Sequence, residues 1–389
     1  NRYRPQGRED SLAFLYRAGR RFMGLDLSAG PFFRKKEDSE KGELNGLFVP
    51  EFIMYTGGSL TYETSYILRL EPERGENSGG MKPSERQRSF RGLTSEFDRG
   101  YLAFTTGRWR IIAGREYIHW GSGRDDGMIL SMGAGSLDHV GVYYELGRFE
   151  FSTIHSVLHP SPERRLAGHR LKIKFPGSIY LGISETVLYT GRGFDYTYLL
   201  PAGSYYANQY NERSDDNILW GLDCKIPAGR GGIIHAELLI DDFQYEGRGE
   251  APDKLGIKIA AEKLIAGRNW HLEMMADYTF IDIYTYSHKD SLTTRYVAGS
   301  GDLTGSGIIG SSLGPDAERW RFRAAAGLHP RVTVTLRGEY LRRGEGSDLR
   351  PWREGYEIDP PFPSGSVTVE KRISLSALYD LGKGSFVSA

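Results

Sequence analysis

The chain has 389 residues, and its 50 basic and 50 acidic side chains cancel, so no global positive field exists to hold nucleic-acid phosphates. Glycine is abundant at 50 residues, about double the average usage of roughly 7%, and aromatics reach 12% with 24 tyrosines. Mean hydropathy is −0.45, no window approaches the ~18 apolar residues of a transmembrane helix, and the lone Cys224 excludes an intrachain disulfide framework.

Scarce cysteine suits a protein that crosses an oxidising periplasm. The start at Asn1, with no methionine and no apolar leader, reads as a signal peptide already removed. In chain order, a strand-like piece at 12–16 comes first, and period-two runs follow almost throughout. One run at 109–113 leads into the glycine- and charge-rich bend 114–131, where His119, Trp120 and the pair Asp125-Asp126 crowd together. The clearest strand is 217–226, with Ile218, Trp220, Leu222, Cys224 and Ile226 alternating against Asn217, Gly221, Asp223 and Lys225. Next, Ile234, Ala236, Leu238 and Ile240 oppose His235, Glu237 and Asp241; then Leu272, Met274 and Tyr278 oppose His271, Glu273 and Asp277. Val332, Val334 and Leu336 face away from Arg337 and Glu339, and Val369, Ile373 and Leu375 from Glu370 and Arg372. A last strand-like piece ends the chain at 385–389.

Alternation alone fits a soluble sandwich with an apolar core or a membrane barrel with an apolar outer face. The connections separate the two. Short turns recur with similar chemistry, as in Thr106-Gly107-Arg108, Leu146-Gly147-Arg148, Ala228-Gly229-Arg230 and Ala266-Gly267-Arg268. Glycine supplies the positive φ that tight hairpins need. Between them lie longer polar connections near 35–45, 72–93, 120–136, 159–166, 190–216, 245–254, 287–317 and 343–365. That beat predicts an all-β, transmembrane, up-and-down antiparallel β-barrel with long external loops and short periplasmic Gly-Arg turns. Sixteen strands fit between residues 22 and 381, and the two terminal pieces raise the count to eighteen. The expectation is one outer-membrane domain over 1–389, with 1–20 and 382–389 as terminal arms or partial strands.

The polar faces predict lumen charges at Asp223, Lys225, His235, Glu237, Glu273, Asp277, Arg337, Glu339, Glu370 and Arg372, pairing across neighbouring strands. A lumen crossed by ion pairs and a solvated polar face are both open readings. The loops 190–216 and 343–365 combine aromatics with amides and charges, so Tyr205, Tyr206, Tyr210, Trp352 and Tyr356 are the candidate glycan-binding residues. Sugar C–H faces stack on rings while hydroxyls need directional partners. Nearer the strands, Tyr189, Tyr196 and Tyr198 read as an interfacial girdle. His119 with Asp125-Asp126 imitates the groups that activate water, but adjacent aspartates on extended chain point apart. No nucleophile-elbow, zincin or clustered Cys/His pattern occurs, so no catalytic residue, metal or cofactor is assigned.

The run Gly114-Arg115-Glu116, then Trp120-Gly121-Ser122-Gly123, then Ile129-Leu130-Ser131 resembles the outer-membrane capsule-assembly (Wzi-like) β-barrel family. The match covers about 20 residues, and the rest of the chain is similar in architecture only; Met132-Gly133-Ala134-Gly135 departs from the asparagine-rich continuation of the family. The resemblance implies a barrel of the bacterial outer membrane that helps attach, assemble or export surface polysaccharide without catalysis. Its partners would be outer-membrane lipid, surface polysaccharide and other envelope proteins, with no nucleic acid. It marks Arg115, Glu116, His119, Trp120, Gly121, Gly123, Leu130 and Ser131 as the anchors of an inward loop. The alternatives are a porin-like diffusion channel and a structural barrel that docks with envelope proteins.

Overall fold

The structure, a computed structural model, describes residues 14–18, 21–35, 42–55, 59–70, 93–123, 126–161, 163–199, 203–242, 251–289, 293–299, 307–329, 331–382 and 385–388. Eighteen strands lie within these residues, every assigned pairing is antiparallel, and the chain divides into two compact units. The first unit holds β1 (Phe14–Ala18), β2 (Arg21–Lys35), β3 (Gly42–Tyr55), β4 (Leu60–Leu70), β5 (Leu93–Thr106), β6 (Trp109–Glu116) and most of β7 (Leu137–Leu146). Each pairs with its sequence neighbour, as in Ala18↔Arg21, Phe22↔Tyr55 and Thr106↔Trp109.

The second unit continues the meander with β8 (Phe149–Pro160), β9 (Glu163–Phe175) and β10 (Ile179–Thr190). A short helix, α1 (Tyr205–Glu212), then precedes β11 (Asn217–Pro227), β12 (Gly232–Asp242), β13 (Lys254–Ala266) and β14 (His271–Ile281). It ends with β15 (Ala317–His329), β16 (Val332–Arg343), β17 (Thr368–Gly382) and β18 (Ser385–Ser388). The two terminal strand pieces expected from sequence are therefore the short β1 and β18. The β8–β9 ladder corrects the expected long connection at 159–166, because it runs out to Pro160↔Glu163. The loops expected at 35–45, 72–93 and 245–254 lie largely outside the described residues.

Burial decides between sandwich and barrel. On β11 to β13, Leu222, Ile234 and Ile259 are 39%, 41% and 52% exposed, whereas Asp223, Glu237 and Lys258 are only 6%, 4% and 4% exposed. The pleat is the expected one, with its chemistry turned outward. In water each outward isoleucine would forgo about 1.5–3 kcal/mol of burial, so this face requires an apolar surrounding. The inward face needs every charge paired or hydrogen-bonded. Glycines make room for that. Gly182 on β10 lies between Arg170 of β9 and Asp223 of β11, and a Cβ there would fall 2.3 Å from the guanidinium and 2.4 Å from the carboxylate. Without it, the two charges meet at 2.6 Å.

Candidate functional site

Arg115 and Glu116 end β6 on opposite faces, as strand geometry requires. Arg115 takes the exposed side, its Nε donating to Asp138 Oδ1 at 2.8 Å with the guanidinium 5.6 Å from the Phe97 ring. Glu116 takes the other side and accepts the Tyr117 N–H at 2.8 Å.

Residues 118–135 belong to the second unit and lie on the polar inward face of its sheet. Glu237 of β12 accepts the backbone N–H groups of Ser122, Gly123 and Met128 at 3.1, 3.0 and 2.9 Å. Gly121 lets the chain come that close, because a Cβ would sit 2.7 Å from the carboxylate. Trp120 is buried against Gly168 of β9, where a Cβ would come within 2.9 Å of the indole. The Trp120 backbone N–H donates to the Leu130 carbonyl at 3.0 Å, which closes the loop's neck, and His119 Nε2 lies 2.8 Å from the Gly123 carbonyl.

Asp126 is the second anchor. Arg319 Nη2, Ser311 Oγ and Ser131 Oγ donate to its carboxylate at 2.6, 2.9 and 3.2 Å, and the Ser312 N–H does so at 2.8 Å. Burial disfavours its charge, yet the Arg319 guanidinium and the Ser312 N–H hold its pKa below the usual aspartate value. Lys258 Nζ reaches the Asp126 carbonyl at 2.5 Å. A carboxylate so fully occupied by donors has no lone pair left for a water or a cation, which removes the water-activating reading of Asp126. Asp125 lies outside the described residues.

Described residues of the 282–316 connection pack onto this loop. Tyr286 and Tyr296 are fully buried and stacked at 5.9 Å, and their hydroxyls donate to the Met128 and Ile129 carbonyls at 2.5 and 2.9 Å. Burial pushes both phenols well above the ordinary tyrosine value. Arg164 of β9, also fully buried, donates to the carbonyls of Thr293, Arg295 and Gly299. Asp316 fastens the 343–365 loop, accepting from Gly346 N at 2.7 Å and Ser364 N at 2.9 Å.

The 190–216 loop forms the rest of the site. Glu185 of β10 accepts the Tyr205 and Tyr206 N–H groups at 2.9 and 3.0 Å, so a carboxylate faces the N-terminus of α1, where the helix dipole favours it. Trp220 Nε1 and His169 Nε2 approach the same carboxylate at 2.9 and 3.2 Å. Asp216 collects Arg192 at 2.6 Å, Tyr198 Oη at 2.6 Å and Ser214 Oγ at 3.0 Å. These anchors bury Tyr189, Tyr198 and Tyr205 with Ala167 and Val187 in one cluster. Tyr205 is therefore no ligand-binding ring, and Tyr189 and Tyr198 are no interfacial girdle; only Tyr196 of that expected group is exposed. Solvating their hydroxyls would break the Tyr198–Asp216 and Tyr205–Tyr198 bonds.

What the two loops share is a cleft of about 870 Å³. Tyr206, Trp220 and Trp352 supply aromatic surface, and Gln209, Asp215, Asn217, His288, Lys289, Arg353 and Glu354 supply donors and acceptors. Tyr206 and Trp220 meet edge to face at 5.5 Å. Tyr210, highly exposed, lines an adjoining hollow of about 690 Å³ with Arg213 and Ser214. The exposed Tyr356 gives its carbonyl to Trp352 Nε1 at 3.4 Å, while its ring lies outside the cleft lining.

Of the expected lumen charges, Asp223 pairs with Arg170, and Lys225 Nζ lies 5.6 Å from the Tyr180 ring. Asp277 pairs with Arg321 at 3.0 Å, Glu273 with Arg323 at 3.4 Å, and His235 stands 3.3 Å from Glu262. Glu339 and Glu370 both meet Arg372, which is itself largely exposed, as is Arg337. Sequence reasoning missed Asp126 and Glu185 as anchors, and it counted Glu237 as an ion-pair partner when backbone amides occupy it.

The sequence matches the family described as capsule assembly protein Wzi over residues 29–389. Among solved structures, Wzi of Escherichia coli, an outer membrane protein involved in group 1 capsule assembly and a carbohydrate-binding β-barrel, is similar with a TM-score of 0.56 at 13% identity. That alignment covers 95% of this chain and 80% of Wzi, and it shows the fold, an outer-membrane β-barrel. OccK8 (OprE) of Pseudomonas aeruginosa aligns with a TM-score of 0.49 at 11% identity over 94% of each chain. DcaP of Acinetobacter baumannii aligns with a TM-score of 0.44 at 10% identity, over 92% of this chain and 97% of that one. No curated protein matches the sequence.

Proposed function

The chain belongs to the capsule assembly protein Wzi family, and we propose that this outer-membrane β-barrel binds surface polysaccharide through the cleft between α1 and the 351–354 loop. The single observation that carries this reading is the pairing of Tyr206 and Trp352 with amide and carboxylate groups in one solvent-open cleft. Ring faces shed water readily onto sugar C–H faces, while Gln209, Asp215 and Glu354 offer the directional partners that hydroxyls need. Together they would hold a glycan by many modest contacts, without bond making or breaking, as suits a protein of assembly and attachment.

A wide diffusion channel is the weaker alternative. Glu237 and Asp126 fasten residues 118–135 over the polar inward face, where an open pore would need free space. In cells that depend on this protein for capsule retention, a Tyr206→Ala, Trp352→Ala variant at normal surface level should shed polysaccharide into the medium. Full retention by that variant would rule out the cleft as the binding site.

A further inference from the structure

The short turns of the second unit are rich in exposed arginine. Antiparallel order puts the turns β7–β8, β9–β10, β11–β12, β13–β14 and β15–β16 at one end of its sheet. Four of these five turns carry an exposed arginine: Arg148, Arg230, Arg268 and Arg331. Among the described turn residues no Asp or Glu occurs, and none of the four arginines has an ion-pair partner among the described residues. Along the strands of the unit several arginines are consumed internally, as at Arg170–Asp223, Arg319–Asp126 and Arg321–Asp277, whereas Arg213, Arg337 and Arg353 are exposed away from the turns. The opposite end carries exposed carboxylates such as Asp215 and Asp242. The chain is neutral overall, but the described residues of these turns carry positive charge and no carboxylate.

Three of these four turns also border outward apolar surface. Phe149 follows Arg148 directly, Trp270 stands two residues after Arg268, and Leu328 three before Arg331; all three are exposed. Trp270 folds back over its turn, so that a Cβ on Gly267 would meet the indole nitrogen at 2.3 Å. A guanidinium so close in sequence to lipid-facing rings lies at the depth where hydrocarbon gives way to headgroups. Strand spacing puts neighbouring turns roughly 10 Å apart along the sheet edge. Planar guanidinium groups bind phosphate oxygens in pairs. We propose that these turn arginines form a headgroup site for the phosphates of anionic phospholipid in the leaflet that meets the turn end. The first unit repeats the pattern on its own β5–β6 turn, where Arg108 precedes the exposed Trp109.

The test uses the whole barrel in nanodiscs of mixed phosphatidylglycerol and phosphatidylcholine, with native mass spectrometry counting the lipids retained on gentle release. Wild type should keep phosphatidylglycerol preferentially. An Arg148→Gln, Arg230→Gln, Arg268→Gln, Arg331→Gln variant should lose that preference, by about fivefold for each arginine removed. The matching four-lysine variant keeps the charge and should keep most of the preference, which separates headgroup binding from a folding defect. Equal lipid retention by wild type and the glutamine variant would overturn the proposal. So would a wild type that shows no lipid preference but binds soluble polyphosphate, since the turns would then serve a free polyanion.

Discussion

Glu237 of β12 accepts the Met128 backbone N–H at 2.9 Å, across 109 positions of sequence. The same carboxylate holds Ser122 and Gly123, so one side chain satisfies three amides of a loop that has no secondary structure to satisfy them. A hydrogen bond to a charged group is worth about 1.5–3 kcal/mol, and a buried amide left without a partner costs about as much. Glu237→Ala should therefore release residues 118–135 while leaving the strands paired. Single-channel recordings in planar bilayers are expected to show larger and noisier conductance than wild type, together with new protease cleavage inside the loop. A variant with wild-type conductance and an intact loop would mean that Glu237 is not the fastening.

Asp126 and Arg319 form a buried pair, so removing either partner strands the other. Asp126→Ala should cost about 3–5 kcal/mol in the stability of the folded loop, more than the same change at an exposed carboxylate. The pH dependence follows from the direction of the shift. The folded pKa of Asp126 is depressed, so its contribution is complete above the unfolded value and is lost only as pH falls through the lower folded value. Loop protection against protease should be flat from neutral pH down to about 4, the unfolded aspartate value, and decline only in stronger acid. A midpoint near pH 6 would contradict this.

Trp120 and Gly168 are in contact because glycine has no side chain. A methyl group at 168 would sit 2.9 Å from the indole, so Gly168→Ala should destabilise by about 1–3 kcal/mol and shift the tryptophan emission toward the red. Unchanged emission and melting temperature would show that the ring can retreat at no cost.

Adjacent tyrosines should separate by role. Tyr205 is fully buried, so Tyr205→Ala should cost about 3–5 kcal/mol and loosen α1. Tyr206 is 42% exposed beside the cleft, so Tyr206→Ala should leave the melting temperature within a few degrees and act on glycan binding. Reversed outcomes would exchange the two assignments.

The strands were legible because alternation survives the inversion of faces: 217–226 and 234–241 read as strands whichever side meets lipid. Repeated Gly-Arg turns set the topology, and the run from Gly114 to Ser131 pointed to the family. The 159–166 connection misled because Ser161-Pro162-Glu163 is as polar as a loop while the ladder runs nearly to its end. Tyr205 misled for a related reason. A short helix capped by Ser204 in a Tyr- and Asn-rich stretch has no apolar stripe, and what buries it is Glu185, twenty positions away. Asp126 looked like chemistry because charge beside histidine usually draws that reading. Its partners Ser311 and Arg319 are 185 and 193 positions distant, beyond the reach of any local pattern.

Glycan binding in the cleft formed by α1 and the 351–354 loop can be read by equilibrium binding of purified capsular polysaccharide to the detergent-solubilised barrel. Wild type should bind saturably, and Tyr206→Ala with Trp352→Ala should weaken binding at least tenfold at unchanged melting temperature, from about 1 kcal/mol or more per lost stacking ring. Equal affinity for wild type and the double variant would contradict the account.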